Sequence, residues 1–408
     1  MIKRALFIEH HYQKIFICFI FFLIVFRGSL AIVIGSSLIV NGLFLVGVIS
    51  SFCLFIVRMF FSGLYRELFF IYLFVFWCFF LVCIYGLTAT VGDYFVAIIG
   101  FINLCGLLLF YSLVYLCSRK RFALFLFIKK TILFVAIINA VGAIFQYYIS
   151  VDLFGLISNA VYADSEKLSN VNVTKRAVSF ISSPQSLSLF LAFAFVLVPS
   201  VTDKKNIQWV IYLLLFFSGL LTVSKAFVVF LIVYLLLCNF KLKRFGYFSA
   251  LIVFLTLVFS FFSHEGQFSR VLQLIYLIEN YEQYSAYIIW KESIFYVDDA
   301  LSFFVGKGLG VFSRGGQEFS NYDILHGSTE SFFIQLFVET GVIGFLIFVS
   351  LVIFSYFKLA SIDKNLAYGL AAICVIGLFS PAPYGFVCGM LMYFCLASGV
   401  FLNLNVRE

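Results

Sequence analysis

Between Gly306 and Gly344 the chain reads GKGLGVFSRGGQEFSNYDILHGSTESFFIQLFVETGVIG. This stretch gathers groups that can move protons: the imidazole of His326 and the carboxyls of Glu330 and Glu339. A glycine-rich turn, Gly308-Leu309-Gly310, lies near its start. His326 and Glu330 are four residues apart at the mouth of an apolar helix, where a histidine is either a structural group or a proton carrier. Inside that helix Ser331, Gln335 and Glu339 recur at i, i+4 and i+8, one polar stripe among Phe, Leu, Ile and Val. A charged side chain at the centre of a membrane helix costs about 2.5–3.5 kcal/mol on insertion scales. Glu339 therefore faces protein or a wet cavity, unless it snorkels to the interface or carries a proton. The Gly308–Gly310 turn is no dinucleotide site, because no strand–turn–helix context surrounds it.

Cations gather in other stretches. Lys175-Arg176 precedes Ser182-Ser183-Pro184-Gln185, Thr222-Val223-Ser224 leads into Lys225, and Arg270 follows a long apolar run. Snorkelling to lipid headgroups is the plain account of each. Together with the histidine and the carboxylates, they suit an anionic lipid-linked substrate handled outside the cytoplasm.

Membrane helices must position these groups. Hydrophobic residues make up 64% of the 408 and charged residues 11%, against roughly a quarter charged in soluble domains. Lipid is the expected solvent, in an all-α polytopic fold forming one integral membrane domain over 1–408. Spans of about 20 apolar residues are expected near 14–34, 38–57, 68–88, 95–117, 131–150, 186–201, 207–223, 226–240, 245–263, 332–357, 366–381 and 384–402. The first shows no cleavage site after Ile15–Phe26, so no removable signal is expected. With both termini cytoplasmic, 18 of the 27 basic residues fall on one side, as the positive-inside rule requires. The +8 charge is thus a topology signal, and no nucleic-acid partner is expected.

Two long loops, 151–185 and 264–331, then face outward. The larger holds four basic residues against nine acids, which leaves it at −5. Within it the apolar spacing over Phe268–Tyr296 is expected to form a helix lying on the outer membrane surface, in a loop that contains short helices. All ten cysteines fall inside apolar runs without CxxC or Cys/His spacing, so no metal and no cofactor is expected. Arg27 interrupts the first span, either paired with Glu339 or another polar group or marking a span that begins later.

In their order these motifs resemble the bacterial O-antigen polymerase and ligase superfamily, most strongly over 220–345. The likeness rests on Gly308-Leu309-Gly310, on His326-Gly327-Ser328 and on Glu339-Thr340-Gly341-Val342-Ile343-Gly344. Arg176…Ser183-Pro184 resembles the family's earlier Arg and Ser-Pro element, and Ser224-Lys225 its Ser-Arg turn with Lys in place of Arg. The resemblance implies a metal-independent glycosyltransferase that joins undecaprenyl-diphosphate-linked oligosaccharide repeat units at the periplasmic face of the bacterial inner membrane. It also implies roles: His326 as base or acceptor-orienting group, Glu330 or Glu339 tuning it, and Arg176, Lys225 and Arg270 gripping the diphosphate. Lys225 is a point charge and lacks the bidentate fork of Arg. Membrane lipids and a separate chain-length regulator are the further partners implied.

Two other functions remain open. An O-antigen ligase, passing the glycan to a lipid A core sugar, would share fold and donor. A flippase or other transporter would share the span count, although no repeat relates the chain halves and no pair of broken helices is evident.

Overall fold

Long runs of Phe, Leu, Ile and Val with few glycines inside them leave the helix as the conformation that satisfies every backbone group without water. The computed structural model describes residues 10–26, 68–88, 91–118, 120–148, 177–181, 183–222, 224–238, 285–312 and 329–402, with isolated positions at 46, 47, 50, 53 and 56. No strand occurs among them. The helices, numbered along the described residues, are α1 His10–Val25, α2 Phe69–Thr88, α3 Val91–Leu116, α4 Arg121–Tyr148, α5 Pro184–Val201, α6 Lys205–Leu221 and α7 Lys225–Cys238. They continue as α8 Ser285–Phe295, α9 Ala300–Val305, α10 Phe332–Ile362, α11 Lys364–Phe379 and, after a single 3-10 turn at Ala382–Tyr384, α12 Phe386–Phe401.

Four of these, α3, α4, α5 and α10, are long and apolar enough to cross a membrane, and six more are shorter apolar helices. This is the architecture of a helical membrane protein. The expected spans 38–57 and 245–263 lie outside the described residues, isolated positions apart. Phe76, Phe134, Trp209 and Phe357 all point outward, each about two-thirds exposed, as side chains facing hydrocarbon would. At the centre runs α12, buried without interruption from Cys388 to Phe401. It packs against α3, α5 and α10, while α2 covers α3 and α11 covers α7 and α10. All ten cysteines are free thiols.

Two boundaries differ from the sequence expectation. Helix α4 begins at Arg121, ten residues ahead of the expected span, and carries Lys129 and Lys130 inside it. The reason is a partner: Lys129 is buried and its Nζ donates to Asp363 Oδ2 at 2.5 Å, between α10 and α11. The second difference lies within 264–331. Its described part forms the short helices α8 and α9, but the turn after α9 does not stay at the surface. Leu309 and Val311 in that turn are 1% and 3% exposed.

Candidate functional site

The turn 306–312 is fastened to a break in α10. Gly341 has φ 67° and ψ −179°, which takes one residue of the 31 out of helical geometry. The chain leaving α9 crosses directly over that residue. A Cβ on Gly306 (φ 91°) would stand 2.5 Å from the Glu339 carbonyl oxygen and 2.6 Å from the Gly341 nitrogen. A Cβ on Gly341 would in turn strike the Phe304 carbonyl. Both positions need glycine for the left-handed φ and for the missing side chain. On its other side the turn meets α3, where Gly100 and Gly310 touch backbone to backbone.

Broken backbone inside a membrane helix must find its hydrogen bonds within the protein. Here it does. The Lys307 N–H donates to the Val338 carbonyl at 2.7 Å, and Trp77 Nε1 donates to the Thr340 carbonyl at 3.0 Å. The Tyr85 hydroxyl donates to the Gly306 carbonyl at 2.5 Å. The remaining donors converge on Glu339, which is wholly buried. Gln335 Nε2 donates to its Oε1 at 3.0 Å and the Tyr384 hydroxyl to its Oε2 at 2.9 Å. The backbone N–H groups of Gly310 and Phe312 also bond to its carboxylate. Two oxygens with four donors have their acceptor capacity filled.

The polar stripe of α10 therefore faces protein, not lipid. Ser331 begins it as N-cap, accepting from Ile334 N–H at 3.4 Å while donating to the Gly377 carbonyl at 3.2 Å. Glu339 lies seven residues beyond Phe332, about 10 Å along the axis at the usual helical rise.

The other motifs of the sequence come to this same end of the bundle. Ser183 caps α5, accepting from Ser186 N–H at 3.4 Å, with Pro184 in the first helical position where its missing N–H costs nothing. Ahead of it, the Ala177 N–H donates to the Leu221 carbonyl at 2.9 Å, at the C-terminus of α6. Gln146 Oε1, near the C-terminus of α4, accepts from the Val178 and Ser179 N–H groups at 2.9 and 2.8 Å. Ser188 Oγ donates to Ser224 Oγ at 3.0 Å, one residue before Lys225 opens α7. The segment that follows Arg176 is thus bonded to the turn that carries Lys225. Lys225 is half-buried.

Backbone strain concentrates here as well. Ser179 (φ 50°) and Glu330 (φ 53°) are the non-glycine residues with left-handed φ among the described residues. Such conformations cost on the order of 1–3 kcal/mol and persist where surroundings over-determine them. Glu330 sits between Thr329, buried, and the capping Ser331. His326, Arg176 and Arg270 lie outside the described residues, as does Arg27.

Tyr384 has no counterpart in the sequence reading. The signal was present: two of the chain's four prolines fall in Pro381-Ala382-Pro383, directly before it and between two apolar runs. That pair forces a non-helical turn, and the turn delivers the phenol to Glu339. Trp77 and Tyr85 carry no such mark, being two aromatics among many on α2.

No protein-family model matches the chain, and no curated protein matches it at a significant level.

Proposed function

We propose that this chain polymerises undecaprenyl-diphosphate-linked oligosaccharide repeat units into O-antigen or capsular polysaccharide. In this reading it has twelve spans, with both termini cytoplasmic and the 151–185 and 264–331 loops periplasmic. The observation that carries it is the meeting, at one end of the bundle, of chain segments far apart in sequence. The residue after Arg176 is bonded to the end of α6, the turn at Ser224 leads into Lys225, and Ser331, five residues past His326, is tied to Gly377. A transporter would instead place its polar groups near mid-membrane between helix halves. Among the described residues, Glu339 is a buried carboxylate already filled by protein donors.

The chemistry breaks the bond between the anomeric carbon of the donor glycan and the diphosphate. The acceptor hydroxyl of a second lipid-linked unit forms the new glycosidic bond. His326, oriented by Glu330, takes the hydroxyl proton, and the diphosphate leaves with the bonding electron pair. Arg176, Lys225 and Arg270 stabilise the charge it carries away. Glu339 takes no part in these bond changes.

The test is the surface-glycan ladder of a strain lacking the gene, complemented with wild type, His326→Ala or Arg176→Ala. Polymerase function requires a core bearing a single repeat unit in the null strain, and a ladder restored by wild type but by neither variant. A bare core with long glycan on undecaprenyl diphosphate would make the chain a ligase. An unchanged ladder would overturn both and leave a transporter.

A further inference from the structure

We infer that Tyr384 and Gln335, acting through Glu339, form a latch that positions the re-entrant turn 306–312, from which the chain runs on in sequence toward His326. This rests on the proposed function for its catalytic consequence, but the latch itself is a matter of geometry. Residues 313–328 leave the turn at Phe312 and rejoin described chain at Thr329. Both anchors of that segment are set by α10. Phe312 bonds to Glu339 through its backbone N–H. On the other side, Ser331 bonds to the Gly377 carbonyl and the Phe332 N–H donates to the Ser380 carbonyl at 3.2 Å.

The latch has an unusual division of labour. Glu339 carries the only carboxylate that touches the turn's backbone at Gly310 and Phe312 among the described residues, and its two side-chain donors come from different places. Gln335 lies one turn earlier on the same helix. Tyr384 lies in the Pro381–Gly385 link between α11 and α12, which is bonded within itself by the Tyr384 N–H to the Pro381 carbonyl and the Gly385 N–H to the Ala382 carbonyl, both at 2.9 Å. The phenol therefore reaches Glu339 from a stiff support. Tyr384 is a positioning residue: its hydroxyl holds the carboxylate, and the carboxylate holds the turn.

A cysteine in place of Leu309, probed in spheroplasts with a membrane-impermeant maleimide on the full-length protein, reads whether the turn is docked. The protein without that cysteine supplies the background. Slow labelling is expected in the latched parent. Tyr384→Phe removes one hydroxyl and keeps the ring, and should raise the labelling rate about tenfold, as loss of a hydrogen bond to a charged group does. Glu339→Gln should raise it further, because its amide offers one acceptor oxygen where four donors converge. The double variant Gln335→Glu/Glu339→Gln moves the carboxylate by one turn and should not restore protection. If Leu309→Cys disturbs folding, Val311→Cys at the same turn takes its place.

Unchanged labelling in Tyr384→Phe and Glu339→Gln would overturn the latch, whatever the protein's activity. With purified lipid-linked repeat units, kcat should fall alongside the gain in labelling while KM holds, because the diphosphate grip sits on other segments. Raised labelling with unchanged kcat would overturn the positioning role. A wild-type chain without polymerase activity would defeat the proposed function alone, and the labelling would still decide the latch.

Discussion

Helix α10 is held by a carboxylate at each end, and the two are held in opposite ways. At the loop-bearing end Glu339 takes four neutral donors, two of them backbone N–H groups of a re-entrant turn, beside a break that only glycine allows. At the far end Asp363 closes α10 with its N–H on the Leu359 carbonyl at 2.7 Å and opens α11 by accepting from Leu366 N–H at 3.2 Å. Its second oxygen takes the Lys129 ammonium, which also lies 4.9 Å from the Phe125 ring centre. The far end is thus an ordinary pair of caps reinforced by one ion pair. The loop end is a fitted joint, in which backbone conformation, two glycines and three helices depend on one another. Glycine adopts both left-handed conformations without strain, so the joint depends on fit and on the absence of two side chains.

Gly341→Ala attacks the joint most directly. A left-handed φ and a collision with the Phe304 carbonyl together should cost about 4 kcal/mol. The expected outcome is loss of the monodisperse peak on size exclusion in detergent; a variant eluting like wild type would show that the two ends are equally forgiving.

Lys129→Ala strands the Asp363 carboxylate, which keeps 14% exposure. Removing one partner of a buried pair costs about 3–5 kcal/mol, and the lower figure is expected here. Lys129→Met with Asp363→Asn should recover most of that loss, since the charge is gone and Asn still caps a helix. Thermal unfolding in detergent reads both. A double variant no better than the single one would mean the far end is also a fitted joint.

The smallest effect is expected beside the loop end, at α9. Asp299 accepts from the Ser302 hydroxyl and from its N–H at 2.7 Å, and the Lys307 ammonium lies 3.3 Å away. These contacts hold its carboxyl down to about 2 from an ordinary 3.8. A carboxyl depressed in the folded state stabilises above the ordinary value, and that support fades as pH falls through about 2. Amide exchange over 300–305, corrected for intrinsic rate, should therefore quicken between pH 4 and pH 2 in wild type. Asp299→Asn should abolish the change.

Much of this was legible in the sequence. Apolar runs marked ten of the expected spans where helices stand, and the i, i+4, i+8 spacing put Ser331, Gln335 and Glu339 on one face, which the structure buries. What one-dimensional patterns could not supply were the partners. Lys129 counts as a loop charge until Asp363, 234 residues away, is seen beside it. Glu339 reads as one member of a helix stripe, and nothing in its spacing announces that Tyr384 and the N–H groups of Gly310 and Phe312 bond to its oxygens. Spacing encodes which residues share a helix face, but not which distant residue meets that face. Hydropathy also failed at 306–312, because a glycine-rich turn looks like loop whether it lies in water or inside a bundle.

The dependence of Glu339 on Tyr384 has a consequence for how the protein is made. Tyr384 follows Glu339 by 45 residues, which at about 5–20 residues per second is a delay of roughly 2–9 s during synthesis. Throughout that interval α10 is a poor guest for hydrocarbon, with an incompletely partnered carboxylate and a broken backbone. Folding of this protein is therefore a concerted event over α10 to α12, because the joint is complete only once all of them are made.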